Sequence, residues 1–341
     1  MGTSNNVPFT AARVVLHTRL AGRMSMRRMF RRSCVLIGGL MMMLPCVSGC
    51  ARQAPSITFG VLADVQYAEK PSAGTRHYAA SRHRLEEAAA ALNALNPAPA
   101  FVIQLGDLID GGPRAEEELT AVAAIYDRIA MPRYHVLGNH DFDGVTREQT
   151  LEILAMDRAY YTFDAGGWRF VVLDTQDRAV QGGWAQLSEP YREAQVMLSA
   201  LRQRRAANAQ VYNGAVGAAQ LAWLDAVLAE ATEAAVPVIV FGHLTLTPPG
   251  ESHTLWNAED VRATLERHAC VKAYFCGHVH RGDWQRHNGI DYVSFEAMVE
   301  WADRQAVWYL VNLSLDAIVI EGVGVSQSWT LPLTEPIRKN E

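Results

Sequence analysis

Five short, mainly apolar segments of the chain each end next to residues that can bind a metal ion. The segments are residues 57–63, 101–105, 134–137, 238–241 and 271–276. Such segments, bounded by Gly and polar residues, are typical of strands buried in a parallel sheet. The carboxyl ends of parallel strands meet at one edge, which is where open α/β sheets bind ligands. The pattern therefore predicts an α/β fold with a polar site at that edge.

The residues at these strand ends form a ligand set for divalent cations. They are Asp64 and Gln66 after the first segment, Asp107 after the second, Asn139 after the third, His243 after the fourth, and His278 and His280 after the fifth. Taken singly, an Asp or Asn could cap a helix and a His could be a hydrogen-bonded core residue. Five such strand ends in one chain favour a metal site. One carboxylate shared by two cations would hold them about 3.5–4 Å apart, as in metal-dependent phosphate-ester hydrolysis.

Composition limits the class of partner. The 341 residues are 49% hydrophobic, which is enough to bury a full core. Residues 1–49 contain seven arginines and no acidic residue, so the net charge of −5 becomes −12 for the remainder. Nucleic-acid binding needs basic surface that neutralises phosphates, and we therefore expect no nucleic-acid partner. An anionic substrate would have to be attracted by bound cations.

Residues 1–49 have the features of an N-terminal extension and export signal. A basic region with four arginines, residues 27–32, precedes the apolar residues 34–47, which are too few for a membrane span. Val-Ser-Gly before Cys50 resembles a bacterial lipobox. This predicts a lipoprotein signal peptide, lipidation of Cys50, a tether over residues 50–56, and a lipid-anchored location at the cell envelope, on the periplasmic side or at the cell surface. An ordinary secretory signal and an uncleaved anchor are the alternatives, and the start could be Met1, Met24 or Met26.

The rest of the chain alternates strand and helix patterns. Helices are predicted over residues 77–95, 116–129, 146–156, 189–207, 218–232 and 258–268. A β-hairpin is predicted over residues 160–174, and strands over 290–296, 306–314 and 317–323. Residues 176–217 are interpreted as an insertion near the site. We expect one domain over residues 57–333, with two packed sheets and helices outside. Cys270 and Cys276 flank one strand about 20 Å apart, so they should be buried without forming a disulfide.

The strand-end motifs together resemble those of the calcineurin-like metallophosphoesterases. They are Asp64-x-Gln66, Gly106-Asp107-x-x-Asp110-Gly111, Gly138-Asn139-His140-Asp141, Gly242-His243 and Gly277-His278-x-His280, in this order. The resemblance extends from residue 57 to about residue 323 and implies a four-layer α/β/β/α sandwich of two packed mixed sheets. It also implies a hydrolase of phosphoester or phosphoanhydride bonds, in which a metal-activated water attacks phosphorus.

The resemblance further implies a role for each site residue. Asp64, Gln66, Asp107 and His280 would hold one cation, and Asp107, Asn139, His243 and His278 would hold the other. His140 would lie beside the phosphate as general acid or transition-state donor, oriented by Asp141. Either Glu296 or Glu300 could support a ligand histidine from behind, although solvated surface is the favoured interpretation for Glu300.

Gln66 stands where most of the family has His. An amide oxygen is a harder and weaker ligand than imidazole, which favours Mn²⁺ as the cofactor, with Mg²⁺, Fe and Zn²⁺ also possible. In this respect, and in Tyr212-Asn213-Gly214 and Leu255-Trp256-Asn257, the chain is similar to the manganese-dependent ADP-ribose/CDP-alcohol diphosphatases. Tyr67, Asn213 and Trp256 could contact a nucleotide, with core packing as the alternative for the two aromatic residues.

Three functions fit these observations. The first is cleavage of the pyrophosphate bond of a small nucleotide-linked substrate such as ADP-ribose or a CDP-alcohol. The same site could instead serve a phosphomonoesterase or a cyclic-nucleotide or other phosphodiesterase. A surface lipoprotein that keeps the fold without catalysis is the alternative outside the enzymes. The expected partners are the phosphorylated substrate and the membrane, through the lipid anchor, and the sequence leaves the oligomeric state open.

Overall fold

The computed structural model of the chain describes residues 56–248, 250–300, 302, 306–324 and 326–333. The predicted signal peptide, Cys50 and all but the last residue of the tether lie outside this part. The strands within it are β1 (Ile57–Leu62), β2 (Val102–Gln104), β3 (Arg133–His135), β4 (Tyr161–Ala165), β5 (Trp168–Val172), β6 (Arg178–Ala179), β7 (Gly214–Ala215), β8 (Val238–Phe241), β9 (Val271–Cys276), β10 (Asp283–His287), β11 (Ile290–Ser294), β12 (Trp308–Leu313), β13 (Ala317–Val323) and β14 (Trp329–Pro332). The helices are α1 (Tyr78–Ala94), α2 (Ala115–Tyr126), α3 (Arg147–Ile153), α4 (Glu189–Gln203), α5 (Ala218–Glu233) and α6 (Ala258–Glu266).

The first sheet has the strand order β14-β13-β12-β1-β2-β3. β1, β2 and β3 run parallel, with Gly60 opposite Val102 and Val102 opposite Arg133. Parallel neighbours need crossover connections, which α1 and α2 supply. β12 pairs antiparallel with the other side of β1, and β13 and β14 continue in antiparallel order. The three parallel strands therefore end together at one edge of a mixed sheet.

The second sheet has the order β10-β11-β9-β8-β5-β4. Its four central strands, β5, β8, β9 and β11, run parallel. β4 and β10 pair antiparallel at the two edges. The β4–β5 pair is the predicted hairpin, with Phe163 opposite Phe170. The parallel strands of this sheet also place their carboxyl ends together.

Aromatic side chains fill the space between the two sheets. Phe59 and Phe101 pack with Phe170, Phe241 and Phe275 in one buried cluster. The rings of Phe59 and Phe101 stack at 4.6 Å, and Phe101 meets Phe170 edge-on at 4.8 Å. A fully buried side chain of this size contributes about 1.5–3 kcal/mol through the hydrophobic effect. This layer therefore holds the two sheets face to face.

Helices cover the outer face of each sheet. Leu85 of α1 and Val122 of α2 are buried in the cluster on the outer side of the first sheet. Leu224 and Leu228 of α5, with Val261 of α6, belong to the corresponding cluster on the second sheet. The layer order is α/β/β/α, which confirms the predicted architecture.

Most predicted elements are present, with ends shifted by a few residues. α3 begins after Thr146, which forms a capping box with Gln149. α4 ends at residue 203 rather than 207, because Arg205 has a left-handed backbone with φ of 55°. β10 and β14 were not predicted, since both are edge strands with few buried residues. Cys270 and Cys276 are buried free thiols, as expected. Across the described ranges, none of the helices combines the length and apolarity that a membrane crossing requires.

Candidate metal centre

The seven predicted ligands follow parallel strands of the two sheets. Asp64 and Gln66 follow β1, Asp107 follows β2, Asn139 follows β3, His243 follows β8, and His278 and His280 follow β9. The first sheet thus supplies every oxygen ligand and the second sheet supplies every imidazole. Six of the seven are buried, and the seventh, His280, has a side chain that is 10% exposed. The strand ends bring these groups to one common edge, as the sequence predicts.

Five of these residues have a left-handed backbone. The φ angles are 48° for Asp64, 42° for Gln66, 56° for Asp107, 67° for His278 and 62° for His280. Such a conformation costs a non-glycine residue about 1–3 kcal/mol, and it persists where the surrounding structure imposes it. The chain therefore turns sharply at the ligands that follow β1, β2 and β9.

Two glycines allow the ligand loops to approach one another. A Cβ atom at Gly138 would overlap the carboxylate of Asp107, and a Cβ atom at Gly277 would overlap the carboxylate of Asp64. Only glycine leaves room for these contacts. The Gly before Asn139 and the Gly before His278 are therefore required by the geometry of the site.

Asp107 lies where the two ligand sets meet. Its Oδ2 is 3.2 Å from Nε2 of His243 and 3.1 Å from Nε2 of Gln66. Ligand atoms of Asp107, His243 and His278 lie within 4.8 Å of one another. Asp64 makes the corresponding contact on the other side, with Oδ1 3.5 Å from Nε2 of His280. This arrangement fits a carboxylate shared by two ligand groups.

Hydrogen bonds fix the orientation of each imidazole. Nδ1 of His243 lies 2.8 Å from the carbonyl oxygen of Leu105, so it donates there and leaves Nε2 facing Asp107. Nε2 of His278 lies 3.2 Å from Oδ1 of Asn213, which leaves Nδ1 available to a cation. Hydrogen bonds of this kind select the tautomer of a metal-binding histidine.

Glu300 orients the last ligand histidine. Its Oε1 is 2.6 Å from Nδ1 of His280, whose Nε2 then faces Asp64. The hydrogen bond from His280 lowers the pKa of Glu300 to about 2, which keeps this carboxylate ionised. Glu300 also lies 3.4 Å from Nε of Arg76. The solvated-surface interpretation of Glu300 is therefore wrong, and Glu300 is the carboxylate behind His280.

Three of the predicted ligands have buried atoms without a hydrogen-bond partner. These atoms are Oε1 of Gln66, Oδ1 of Asn139 and Nε2 of His243. An unsatisfied buried polar group costs about 1–3 kcal/mol, so a folded chain rarely keeps three together. The two amide oxygens carry lone pairs, and Nε2 of His243 offers one when its imidazole is neutral. Together with the Asp carboxylates these atoms form the donor set of a divalent cation site. The residues present therefore fit a pair of divalent cations.

Charge coupling prepares the site to exchange protons for cations. Burial opposes ionisation of Asp107, but His243 and His140 outweigh burial and hold the pKa of its carboxyl well below the usual range. Burial likewise opposes protonation of His243, while the neighbouring charge of Asp107 raises the pKa of this imidazole to about 9. Metal binding requires an ionised carboxylate and a neutral imidazole. A cation entering here therefore displaces a proton from His243.

His140 lies beside the ligands and is held by Asp110. Its Nδ1 is 2.9 Å from the backbone oxygen of Asp110 and 3.6 Å from Oδ1 of the same residue. Its backbone N–H donates to Oδ1 of Asp107 at 2.9 Å. The carboxylate of Asp110 is itself paired with Lys70. With Nδ1 fixed in this way, Nε2 of His140 is the nitrogen left for a substrate.

The expected orientation of His140 by Asp141 is wrong. Asp141 is fully buried, and its carboxylate accepts backbone N–H groups from Asp107, Leu108 and Gly138 at 2.7–2.9 Å. Its role is to bind together the loops after β2 and β3. The family resemblance implied the other role for Asp141. In the structure Asp110, at the end of the Gly106-Asp107-x-x-Asp110 motif, holds His140 instead.

A cavity of about 270 Å³ opens onto the centre. It is lined by Gln66, Arg76, Asp107, Asn139, His140, Asp143, Gln181, Val211, Tyr212, His253, His278 and His280. The rings of Tyr212 and His253 stack at 5.3 Å at its wall. Gln181, Val211 and Tyr212 belong to the insertion of residues 176–217, which thus reaches the site as predicted. Arg76 and His253 were not identified from the sequence, because neither belongs to a strand-end motif.

The three predicted substrate residues have different surroundings. Asn213 is buried against His278 and lies directly behind the centre. Tyr67 packs in the cluster between the first sheet and its helices, and its hydroxyl donates to Glu69. Trp256 packs beside α4, and its Nε1 donates to the backbone oxygen of Gln210. Neither aromatic residue lines the cavity, so the packing alternative describes Tyr67 and Trp256.

The fold and the ligand set define a metal-dependent phosphoesterase, and comparison with known proteins identifies the family. The sequence model of the calcineurin-like phosphoesterase family matches residues 57–282, and the chain belongs to this family. A manganese-dependent ADP-ribose/CDP-alcohol diphosphatase from Oryza sativa subsp. japonica is 31% identical over 295 residues, which cover 79% of this chain and 91% of the relative. The protein of the same name from Homo sapiens is 28% identical and covers 78% of this chain and 90% of its own length.

A solved structure agrees with this assignment. A dimetal phosphatase from Danio rerio superposes with a TM-score of 0.73 at 27% identity. The match covers 83% of this chain and all of that structure. The chain is accordingly a hydrolase of phosphoester or phosphoanhydride bonds.

Proposed function

We propose that this protein is a manganese-dependent diphosphatase that cleaves the pyrophosphate bond of nucleoside diphosphate-linked compounds such as ADP-ribose and CDP-alcohols. The observation that carries the proposal is the amide ligand Gln66, whose buried Oε1 has no hydrogen-bond partner and which stands, beside the amide of Asn139, where most of the family has a histidine. An amide oxygen favours manganese or magnesium over zinc. The curated relatives, which span most of the chain, carry the same activity in their names.

The side chains around the centre have distinct tasks in this reaction. Divalent cations held by the seven predicted ligands would supply an activated water and neutralise charge on the phosphoryl oxygens. His140, fixed at Nδ1 by Asp110, presents Nε2 to the oxygen that leaves. A positioned proton donor of this kind contributes about 10²–10⁴-fold to the rate. Arg76, held by Glu300 at the cavity wall, places a guanidinium beside the anionic substrate.

The experiment is a substrate panel on the purified, metal-stripped protein. ADP-ribose, CDP-choline, cAMP and p-nitrophenyl phosphate are assayed side by side with Mn²⁺, Mg²⁺ or Zn²⁺ restored. We expect the two pyrophosphate compounds to be the best substrates and Mn²⁺ to be the best cation. Hydrolysis of the monoester or of cAMP alone would overturn the proposal in favour of the corresponding esterase, and hydrolysis of none would favour a non-catalytic lipoprotein.

We also propose that Cys50 is lipidated and anchors the enzyme at the bacterial cell envelope. The basic region, the apolar residues 34–47 and the Val-Ser-Gly-Cys sequence support this proposal. A stable anchor would follow from the acyl chains, each methylene contributing about 0.8 kcal/mol of membrane affinity. Expression of the full chain with an alkyne-tagged fatty acid should label the wild type and not Cys50→Ser. Equal labelling of the two, or a soluble unlabelled wild type, would contradict the anchor.

A further inference from the structure

A second cavity adjoins the metal centre on the far side of His278 and His280. Its volume is about 640 Å³, and it shares Arg76, His253, His278 and His280 with the first cavity. It continues past the ligands to Arg281, Gly282 and Gln327. A substrate whose phosphorus lies at the centre can therefore extend in two directions, since the same histidines form a wall of both cavities.

Most charged groups of the second cavity already have partners. Glu300 accepts from His280 and lies beside Arg76. Glu296 is buried, and its Oε1 accepts the backbone N–H of Gln327. Burial also raises the pKa of Glu296, which weakens its ability to act as a negative charge. Oε2 of Glu296 has no hydrogen-bond partner, and among the described residues neither Glu296 nor Glu300 pairs with Arg281.

Arg281 is the cavity cation that remains unengaged. It is exposed, and among the described residues it has neither an ion pair nor a hydrogen bond from its side chain. It directly follows the ligand His280, so its Cα is about 3.8 Å from that of a metal ligand. A guanidinium binds phosphate oxygens through two parallel hydrogen bonds. The position and chemistry of Arg281 thus suit an anionic group attached next to the phosphorus that reacts.

We infer that Arg281 is a specificity-determining residue that binds the second phosphate of a pyrophosphate while the first lies at the metal centre. This inference rests on the proposed function, which supplies pyrophosphate compounds as the class of ligand. It explains why a substrate with two linked phosphates would be preferred in a protein whose remaining surface is acidic. A monophosphate leaves this guanidinium without a partner, so it gains less from the site.

The test compares two ligands that differ by one phosphate. AMP and α,β-methylene-ADP, a non-hydrolysable pyrophosphate, are titrated calorimetrically into the manganese-loaded protein at constant free Mn²⁺. Because a hydrogen bond to a charged group contributes about 1.5–3 kcal/mol, Arg281→Gln should raise the Kd of α,β-methylene-ADP by about 10- to 100-fold. The Kd of AMP should rise by less than about threefold. Arg281→Lys keeps the charge but cannot form two parallel hydrogen bonds. Its Kd for α,β-methylene-ADP should lie between those of the wild type and of Arg281→Gln.

Arg192→Gln is the matched control, since Arg192 is an exposed arginine of α4 that lines neither cavity. It should leave both Kd values unchanged. Equal weakening of both ligands by Arg281→Gln, or no weakening of α,β-methylene-ADP, overturns the inference. If ADP-ribose is hydrolysed but Arg281→Gln does not selectively weaken the binding of α,β-methylene-ADP, only this inference fails. If that selective weakening is observed but no pyrophosphate compound is hydrolysed, only the proposed function fails.

Discussion

The two sheets supply different halves of the metal centre and hold them in different ways. The oxygen ligands of the first sheet lie on loops that are hydrogen-bonded to one another. Asp141 accepts three backbone N–H groups from the loops after β2 and β3, and the backbone N–H groups of Asp64 and Gln66 donate to the loop after β2. The histidines of the second sheet depend on groups outside their own sheet. His243 donates to Leu105 of the first sheet, and the backbone N–H of His278 donates to Asp64.

This difference shows that the first sheet acts as the template of the site. Its ligand loops are bound to one another by a buried carboxylate and by backbone hydrogen bonds, whereas each imidazole is aligned by a group outside the second sheet. A change in a first-sheet ligand should therefore affect the whole centre. A change in the residue that orients a single histidine should weaken the binding of one cation.

The largest expected effect comes from Asp107→Asn, which tests the template directly. Asp107 contacts both Gln66 of its own sheet and His243 of the other, and an amide cannot bridge two cations with two charged oxygens. Turnover of the best substrate in the panel should fall to background, while the circular dichroism spectrum stays that of the folded protein. Retention of more than about a tenth of the activity would show that Asp107 is not shared.

A smaller effect on turnover is expected for His140→Ala, because His140 lies among the first-sheet ligands without being one of them. Loss of the proton donor should lower kcat by about 10²–10⁴-fold. Metal content, measured by mass spectrometry, should remain that of the wild type, and loss of metal would contradict the assigned role.

Asp141→Asn should affect stability, in contrast to His140→Ala. The substitution weakens the hydrogen bonds between the loops and should lower the free energy of unfolding by about 1–3 kcal/mol.

Glu300→Gln sharpens the comparison on the second sheet. Removing the carboxylate behind a ligand histidine typically costs about 10- to 100-fold in metal affinity. Calorimetric titration with Mn²⁺ should show this loss for the cation held with His280 and little change for the cation held with His243. Glu296→Gln is the control, since Glu296 contacts Gln327 instead of a ligand. Equal losses at both cations would mean that the two histidine positions are not independent.

The smallest effect concerns stability and arises from His135 at the end of β3. Burial, with the nearby charge of Arg133, lowers the pKa of His135 to about 4, against an ordinary value of about 6.5. Between these values the unfolded chain binds a proton that the folded chain excludes, so stability falls as the pH is lowered from about 6.5 to 4. The contribution is at most about 3 kcal/mol.

Urea unfolding of the wild type and His135→Asn across this pH range checks the prediction. Asparagine can still accept the hydrogen bond that Gln104 donates to Nδ1 of His135, and it does not titrate. The difference between the two proteins should shrink or change in favour of the variant as the pH falls. A difference that is independent of pH would mean that His135 is protonated in both states.

Sequence patterns predicted the seven residues that the structure gathers at the strand ends, because residue identity and strand-end position are both local properties. They also identified the layered fold, since apolar segments and helical periodicity alternate along the chain. The partners of the histidines were harder to predict. Asp110 and Glu300 lie 30 and 20 residues from the histidines that they hold. No periodicity connects such pairs, and the role that the resemblance implied for Asp141 was wrong.

The type of a residue that stands next to a motif did not predict whether its side chain lines the cavity. Tyr67 and Trp256 stand next to site residues in sequence, yet both pack away from the cavity. Arg76 and His253 line the cavity although they lie outside every motif. Which side chain of a loop faces a cavity depends on packing from distant elements, and a single sequence contains no local signal of that packing.

The amino-acid sequence by itself determined which groups could bind cations and on which strands they would stand, because backbone alternation and turn residues are encoded locally. The tertiary structure decided the orientation of those side chains and the distances between them. Only the packing of the two sheets face to face sets the distance between Asp107 and His243, leaves three buried atoms for a metal, and opens a second cavity beside Arg281.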